Sequence, residues 1–477
     1  MSGIALRVWA YRGAMGVPDS DEAIVGLMAL HAQHGHFTAF YWGQGYGGLQ
    51  EALLTAPLYW LFGSGWLVLR LVPIALTAVT SIVLWRAGRR FFGETAGAAA
   101  GALFWVWPPF LLYKLTHQFG FYASGVLYCA LLLLLALRVV ERPDLTRVCT
   151  FAFVLGLAFW ETVQIVPVAA VLVAWIVWRA PRALRHLPLA LLAAAIGAAP
   201  WLGWNIVRHG ESFAIPYGQF PYVHRLRLFF SPILPMALGL RVPFSQQALP
   251  PPALVAVALV LVVALFFYGA WRARRSDALV LYAIVAVFPF LYALSPLTSD
   301  TLEPRYTVVL SPVIVLLVAQ LARDYLRATI LLLAACALSF LVVDRMNAWF
   351  RSPGLGYPTA PRNLAPLVAA LDRLRLDRVY ADYWLAYVLD FDTKERIVAA
   401  QARFGGVRFE DGRAVVTHDP VTDWVAYERE VAAAPRTGLV FFRPAVARTP
   451  LVRDVLRHGY RRVDVGPFVI LAPRRAT

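Results

Sequence analysis

Long apolar runs separated by short arginine-rich connections occupy the first three-quarters of the chain. Runs of spanning length fall at Trp66–Trp85, Thr95–Leu112, Phe121–Leu137, Leu187–Asn205, Ala253–Trp271, Leu279–Leu297, Val308–Leu321 and Ala328–Val343. As helices, stretches of about 17–25 apolar residues cross a hydrocarbon layer of about 30 Å. Val148–Trp178 is longer and is interrupted by Glu161, Gln164 and Pro167. That pattern predicts two shorter helices with a polar tip, one long tilted helix being the alternative. Met1–Gly16 is weakly apolar and carries Arg7 and Arg12; it supplies a short first crossing, and no cleavable signal peptide is visible. From about Asp344 the pattern changes. Short alternating pieces at Arg378–Ala381, Gly438–Phe442 and Phe468–Leu471 predict strands, and Leu364–Leu374, Val425–Ala433 and Leu451–Arg457 predict helices. The fold class expected is an all-α polytopic membrane domain with about ten or eleven transmembrane helices over residues 1–345, and a small α/β domain over 346–477.

Composition agrees. Apolar residues make up 60% of the 477 and charged residues only 15%, against about a quarter charged in soluble proteins; the mean hydropathy is +0.62. The net charge of +16 would suggest nucleic acid in a soluble chain. Its distribution points to a membrane instead. Arginines cluster at Arg86, Arg89 and Arg90; at Arg138, Arg142 and Arg147; at Arg179, Arg182 and Arg185; at Arg272, Arg274 and Arg275; and at Arg323 and Arg327. Each cluster sits in a short connection and is expected on the cytoplasmic side. The alternate connections are then external: Val17–Gly65, Tyr113–Gly120, the tip near Glu161, Ile206–Pro252 and Thr298–Tyr306, with the C-terminal domain on the same side. Cys129, Cys149 and Cys336 lie far apart in apolar surroundings and form no disulfide framework or metal knuckle.

The external connections carry the candidate chemistry. Asp19, Asp21 and Glu22 crowd three carboxylates into four positions. Such a group suits a cation, or a base whose proton affinity its neighbours raise; it equally suits the acidic start of a helix Glu22–His34 capped by Ser20 or Asp21. His31 and His34 share a helix face compatible with zinc, but without thiolates or fixed partners the plainer reading is an interfacial helix end running through His36. Tyr41, Trp42, Gln44 and Tyr46 stand in a Gly-rich loop, Phe40–Glu51, whose rings and amides suit carbohydrate; aromatic residues also serve as interfacial anchors. Lys114 and His117 lie in the second external turn, where Lys114 either neutralises a phosphate or snorkels. Glu161 and Gln164 mark the polar tip. Arg305, ahead of Tyr306, offers a guanidinium fork for phosphate, or a salt bridge to Glu303 or Asp300.

The stretch Asp19-Ser20-Asp21-Glu22-Ala23-Ile24-Val25-Gly26, the Tyr41–Gly48 loop and the Arg305-Tyr306 pair, in this order and topology, resemble the GT-C fold glycosyltransferases. The closest likeness is to the bacterial protein O-mannosyltransferase-like and aminoarabinose lipid A transferase-like branch. It covers the membrane domain, and the tail carries no motif that assigns it a role. The resemblance implies inverting transfer of a sugar from a polyprenyl-phosphate donor to an extracytoplasmic glycan, lipid or protein acceptor, at the cytoplasmic membrane and without nucleic acid. It implies Asp21 as general base beside Glu22, and Arg305 with Lys114 stabilising the leaving phosphate. No cofactor is required, although a divalent cation is an option. The lipid A transferases carry a lysine in the first loop, where this chain reads Tyr41-Trp42-Gly43-Gln44. A transporter or flippase of lipid-linked sugars is the alternative, disfavoured because polar groups gather outside rather than at the midplane. A non-catalytic glycolipid-binding assembly partner is the third reading.

Overall fold

The computed structural model describes residues 2–213, 220–249, 251–351, 360–402, 407–410, 413–416, 424–446 and 451–474, and every apolar run within it is helical. Several runs are broken at proline, which removes a helical donor and restricts the residue before it. Thr95–Leu112 divides into Glu94–Val106 and Pro109–Lys114 around Pro108, and Leu187–Asn205 into Leu187–Gly197 and Ala199–Val207 beside Pro200. The long polar-tipped run splits as the pattern predicts, into Leu145–Glu161 and Val166–Arg179 joined by a 3₁₀ turn at Val163–Ile165. Among the described residues four helices are long and apolar enough to cross a membrane alone: Trp66–Phe92, Tyr122–Glu141, Ala253–Ala273 and Tyr325–Arg351. A fifth candidate is the pair Val163–Arg179 and Pro181–Gly197, bent by 109°; Leu279–Tyr292 and Arg305–Ala319 are apolar but shorter. The chain is an integral membrane protein.

The chain divides into two units. The first comprises Met1–Gly16, Gly45–Glu51 and Arg70–Arg351; the second comprises Val17–Gln44, Ala52–Leu69 and Ser352–Thr477. The expected boundary after residue 345 falls inside the Tyr325–Arg351 helix, and the second unit takes in most of the first external connection.

In the first unit the helices pack through small residues, which let backbones approach where lipid supplies no hydrophobic drive. A Cβ on Gly156 would lie 2.1 Å from the Ala194 carbonyl oxygen, and one on Gly197 would lie 2.3 Å from that of Phe153. The short N-terminal helix Ser2–Arg12 buries one side, with Leu6, Arg7 and Ala10, and exposes the other, with Ile4 and Val8. Its buried Arg7 donates to the Trp105 carbonyl at 2.6 Å and lies 4.0 Å from the Trp105 ring. Connections expected on the same side meet. Arg90 pairs with Glu141 at 3.0 Å and Arg179 with Asp277 at 3.1 Å, joining four arginine-rich turns in two pairs. Likewise Lys114 pairs with Glu303 at 3.1 Å, and Gly48 donates its N–H to the Glu161 carbonyl at 2.7 Å, joining connections assigned to the opposite side.

The second unit holds a five-stranded sheet. Its strands are β1 (Arg378–Ala381), β2 (Val398–Gln401), β5 (Gly438–Phe442), β6 (Tyr460–Val465) and β7 (Phe468–Pro473), in the order β2-β1-β5-β7-β6. A separate hairpin pairs β3 (Val407–Glu410) with β4 (Arg413–Val416). The β2-β1-β5 strands are parallel and the β5-β7-β6 strands antiparallel. Both faces are covered, so β2 and β5 are buried at every position, as parallel strands flanked by helices usually are. The expected strands and helices of the tail all form. β2, β3, β4, β6 and the Tyr383–Asp392 helix were not expected. That helix is the crossover between β1 and β2, and its aromatic-rich sequence is a weak helix former. In the same unit the helix Ser20–Gln33 packs on it through Gly26, where a Cβ would lie 2.6 Å from the Phe391 ring.

Candidate active site

The acidic stretch organises the start of the Ser20–Gln33 helix. Its N-cap is Asp19, whose carboxylate accepts the Asp21 N–H at 2.8 Å and so satisfies a donor that the helix cannot. The expected caps, Ser20 or Asp21, give way to the residue before them, because Asp19 holds the extended backbone a cap requires. The three carboxylates then diverge. Asp19 faces the helix end, Glu22 is wholly buried and Asp21 is half-buried. Asp21 is gripped at two points: its Oδ1 accepts from the Tyr383 hydroxyl, and its carbonyl accepts from the Tyr41 hydroxyl at 3.0 Å. The adjacent Ser20 hydroxyl donates to the Tyr383 carbonyl.

The Tyr41-Trp42 pair is buried, with Trp42 only 3% exposed. One face of Trp42 is covered by Trp424, stacked at 4.1 Å and 14° between planes. Trp42 is therefore closed on that face, and the half-buried Trp424 is the outer ring of the stack. His31 packs edge-on to Trp42 at 5.0 Å, and its Nε2 meets Glu395 Oε1 at 2.7 Å. Tyr427 donates to the same oxygen at 2.6 Å. Burial alone would raise the Glu395 carboxyl; the bonds from His31 and Tyr427 outweigh it and hold Glu395 below the usual carboxylate range. His34 and His36 are exposed at the helix end, and Gln44 is half-buried. Among the described residues no group of three His, Cys, Asp or Glu side chains is disposed to hold a metal ion. Within this stretch Asp19 serves as the cap, Glu22 is enclosed and His31 is engaged by Glu395.

In the first unit the polar tip binds the end of the Gly-rich loop. Ser124 Oγ lies 2.7 Å from both Glu51 Oε1 and Glu161 Oε1. A hydroxyl has one proton to give, so both contacts are hydrogen bonds only when one carboxyl also carries a proton. Gln50 N–H donates to Glu161 Oε2 at 3.2 Å, and its side-chain amide to the Leu157 carbonyl at 3.0 Å. A Cβ on Gly48 would lie 2.2 Å from Glu161 Oε2, so the loop can approach this closely only with glycine there. The same loop presents Tyr46, which packs edge-on to Phe121 at 6.3 Å and hydrogen-bonds the Tyr306 hydroxyl.

Arg305 and Lys114 lie in one charged cluster of the first unit. Lys114 is enclosed, 4% exposed, with its ammonium 3.1 Å from Glu303 and within 4.3 and 4.7 Å of the Phe119 and Tyr122 ring centroids. Lys114 is therefore paired inside the fold rather than snorkelling to the interface. Arg305 pairs closely with Asp300, lies 3.6 Å from Glu303, and stands over the Tyr306 ring at 5.3 Å. Two cations thus face two carboxylates, and of the two cations Arg305 is the more exposed, at 30% of its side chain. His117 is buried, its Nδ1 3.0 Å from the Tyr113 carbonyl.

Sequence reasoning missed Tyr383, Trp424, Glu395 and Ser124. Asp382 ahead of an apolar run was the one available signal, as the N-cap of the helix that carries Tyr383; it accepts Trp384 N–H at 3.0 Å.

The fold so described is GT-C-like. It is similar to ArnT from Cupriavidus metallidurans in the apo state, with a TM-score of 0.62 at 16% identity over 95% of this chain and 93% of that one. It is similar also to the same protein bound to undecaprenyl phosphate, with a TM-score of 0.60 at 16% identity over 99% and 98%. A lower score, 0.47 at 13% identity over 99% of this chain and 73% of that one, relates it to the Archaeoglobus fulgidus oligosaccharyltransferase. By sequence, residues 51–204 match the family described as Dolichyl-phosphate-mannose-protein mannosyltransferase. No curated protein matches.

Proposed function

We propose that the protein is a membrane glycosyltransferase that moves a sugar from a polyprenyl-phosphate donor to an acceptor hydroxyl with inversion. The observation that carries this reading is the fold, shared over nearly the whole chain with a protein solved with undecaprenyl phosphate bound. Asp21 is the general base. Asp21 is half-exposed, its carboxylate accepts from the Tyr383 hydroxyl and its backbone carbonyl from the Tyr41 hydroxyl. As it takes the acceptor proton, the acceptor oxygen bonds to the anomeric carbon and the carbon–phosphate oxygen bond breaks, releasing polyprenyl phosphate. Arg305 binds that phosphate through its guanidinium fork, exchanging its Asp300 carboxylate for phosphate oxygens. Lys114 acts indirectly: it shares Glu303 with Arg305 and so weakens that carboxylate's hold on the guanidinium. The rings and amides of Tyr41–Tyr46 border the sugar or its acceptor, with Trp424 as the outer face of the Trp42 stack.

The arginine-rich turns lie on the cytoplasmic side of the cytoplasmic membrane in this reading, and the acceptor is a glycan, lipid or protein outside it. Purified protein in lipid bilayers is incubated with a panel of polyprenyl-phosphate sugars and native extract as acceptor source. Release of polyprenyl phosphate with one donor supports the transferase and identifies the sugar. Transbilayer movement of a donor with no release from any of them would replace it with a flippase.

A further inference from the structure

The C-terminal domain contributes one side chain directly to the first-loop carboxylate, and nothing in the acidic motif requires it. Tyr383 opens the helix between β1 and β2, with Asp382 as N-cap. Both of its ends are tied to consecutive residues of the Ser20–Gln33 helix. Its carbonyl accepts from Ser20 Oγ, and its hydroxyl donates to Asp21 Oδ1. The ring between these ends is fixed as well. Trp384 packs on it edge-on at 5.0 Å and Tyr387 at 5.8 Å, and the Tyr387 hydroxyl is itself bonded by Trp424 N–H at 3.2 Å. A tyrosine tied at its backbone carbonyl and at its hydroxyl, with its ring against two others, has few rotamers left, so the carboxylate it grips is fixed in turn.

We infer that Tyr383 is a positioning residue for the transfer reaction: its hydroxyl occupies Oδ1 of Asp21, so that Oδ2 is the oxygen aimed to take the acceptor proton. A carboxylate free to rotate about its χ2 presents either oxygen in a broad range of directions. A carboxylate with one oxygen bonded to a rigid donor presents the other in a single direction. The C-terminal domain thereby completes the geometry of the base as well as bordering the acceptor. This inference rests on the reading of Asp21 as the base.

The test is steady-state kinetics of full-length Tyr383→Phe in bilayers, with the donor that the panel identifies and activity normalised to folded protein by size exclusion. Phe keeps the ring and its packing and removes only the hydroxyl. The expected result is a kcat lower by about ten- to a hundredfold with the KM for the donor unchanged. Ser20→Ala, which loosens the other end of the tie, gives a smaller fall of the same kind. A purely structural role would lower the folded fraction and leave kcat per folded molecule as it was. Wild-type kcat in Tyr383→Phe, with Asp21→Asn inactive, overturns the inference and leaves the base assignment standing. Full activity in Asp21→Asn overturns the base assignment itself, and the inference with it.

Discussion

Replacing Lys114 with Met separates a buried structural cation from a surface one. The ammonium lies 3.1 Å from Glu303, and the two side chains are only 4% and 8% exposed. Removing one member of such a pair leaves a buried charge without its counter-ion, which costs about 3–5 kcal/mol. Arg305 Nε, 3.6 Å from Glu303, offsets part of that, so the lower figure, about 3 kcal/mol, applies. Lost contacts with the Phe119 and Tyr122 rings add about 0.5–1 kcal/mol. At about 2 °C per kcal/mol for a large domain, thermal unfolding in detergent should fall by about 7 °C. Adding Glu303→Gln removes the stranded charge and should recover more than half of the loss. Equal unfolding temperatures for Lys114→Met and the double variant would refute the reasoning, since no charge would then have been stranded.

The remaining predictions concern other contacts. Ser124→Ala removes the hydroxyl shared by Glu51 and Glu161 and should cost about 2–3 kcal/mol, read as a lower unfolding temperature. Gly48→Ala sets a Cβ 2.2 Å from Glu161 Oε2; it should destabilise more than an alanine on an open loop glycine such as Gly65, where nothing lies within 4 Å. In the second unit, Glu395 is held below the usual carboxylate range, so its contribution to stability is full above about pH 4.3 and is lost as pH falls through the lower folded value. His31→Ala removes a donor and leaves burial less opposed. The acid transition of tryptophan fluorescence, which the Trp42–Trp424 stack reports, should then move to higher pH.

The membrane domain was legible because its signal is local. Apolar runs and prolines declare helices without knowledge of what they touch, and the turns that the arginine pattern assigns to a common side do meet, as Arg90–Glu141 and Lys114–Glu303 illustrate. The acidic stretch was legible as a feature, but the fate of each carboxylate was not. Whether Asp19, Ser20 or Asp21 caps the helix depends on one residue's backbone angles. What Asp21 accepts depends on Tyr383, 362 residues away. That one face of Trp42 is covered was not legible, because Trp424, which covers it, stands in a tail without motif. Likewise Lys114 and Glu303 are 189 residues apart, and only folding makes the lysine buried rather than interfacial.

The central claim is that Asp21 is the base of a lipid-phosphate sugar transferase, and the most direct measurement is polyprenyl phosphate release by wild type and Asp21→Asn side by side. Both proteins are reconstituted in bilayers with the active donor and acceptor source. The account predicts release by wild type and a loss of at least about a hundredfold in Asp21→Asn, with membrane insertion and unfolding temperature preserved. Equal release by the two proteins would contradict it.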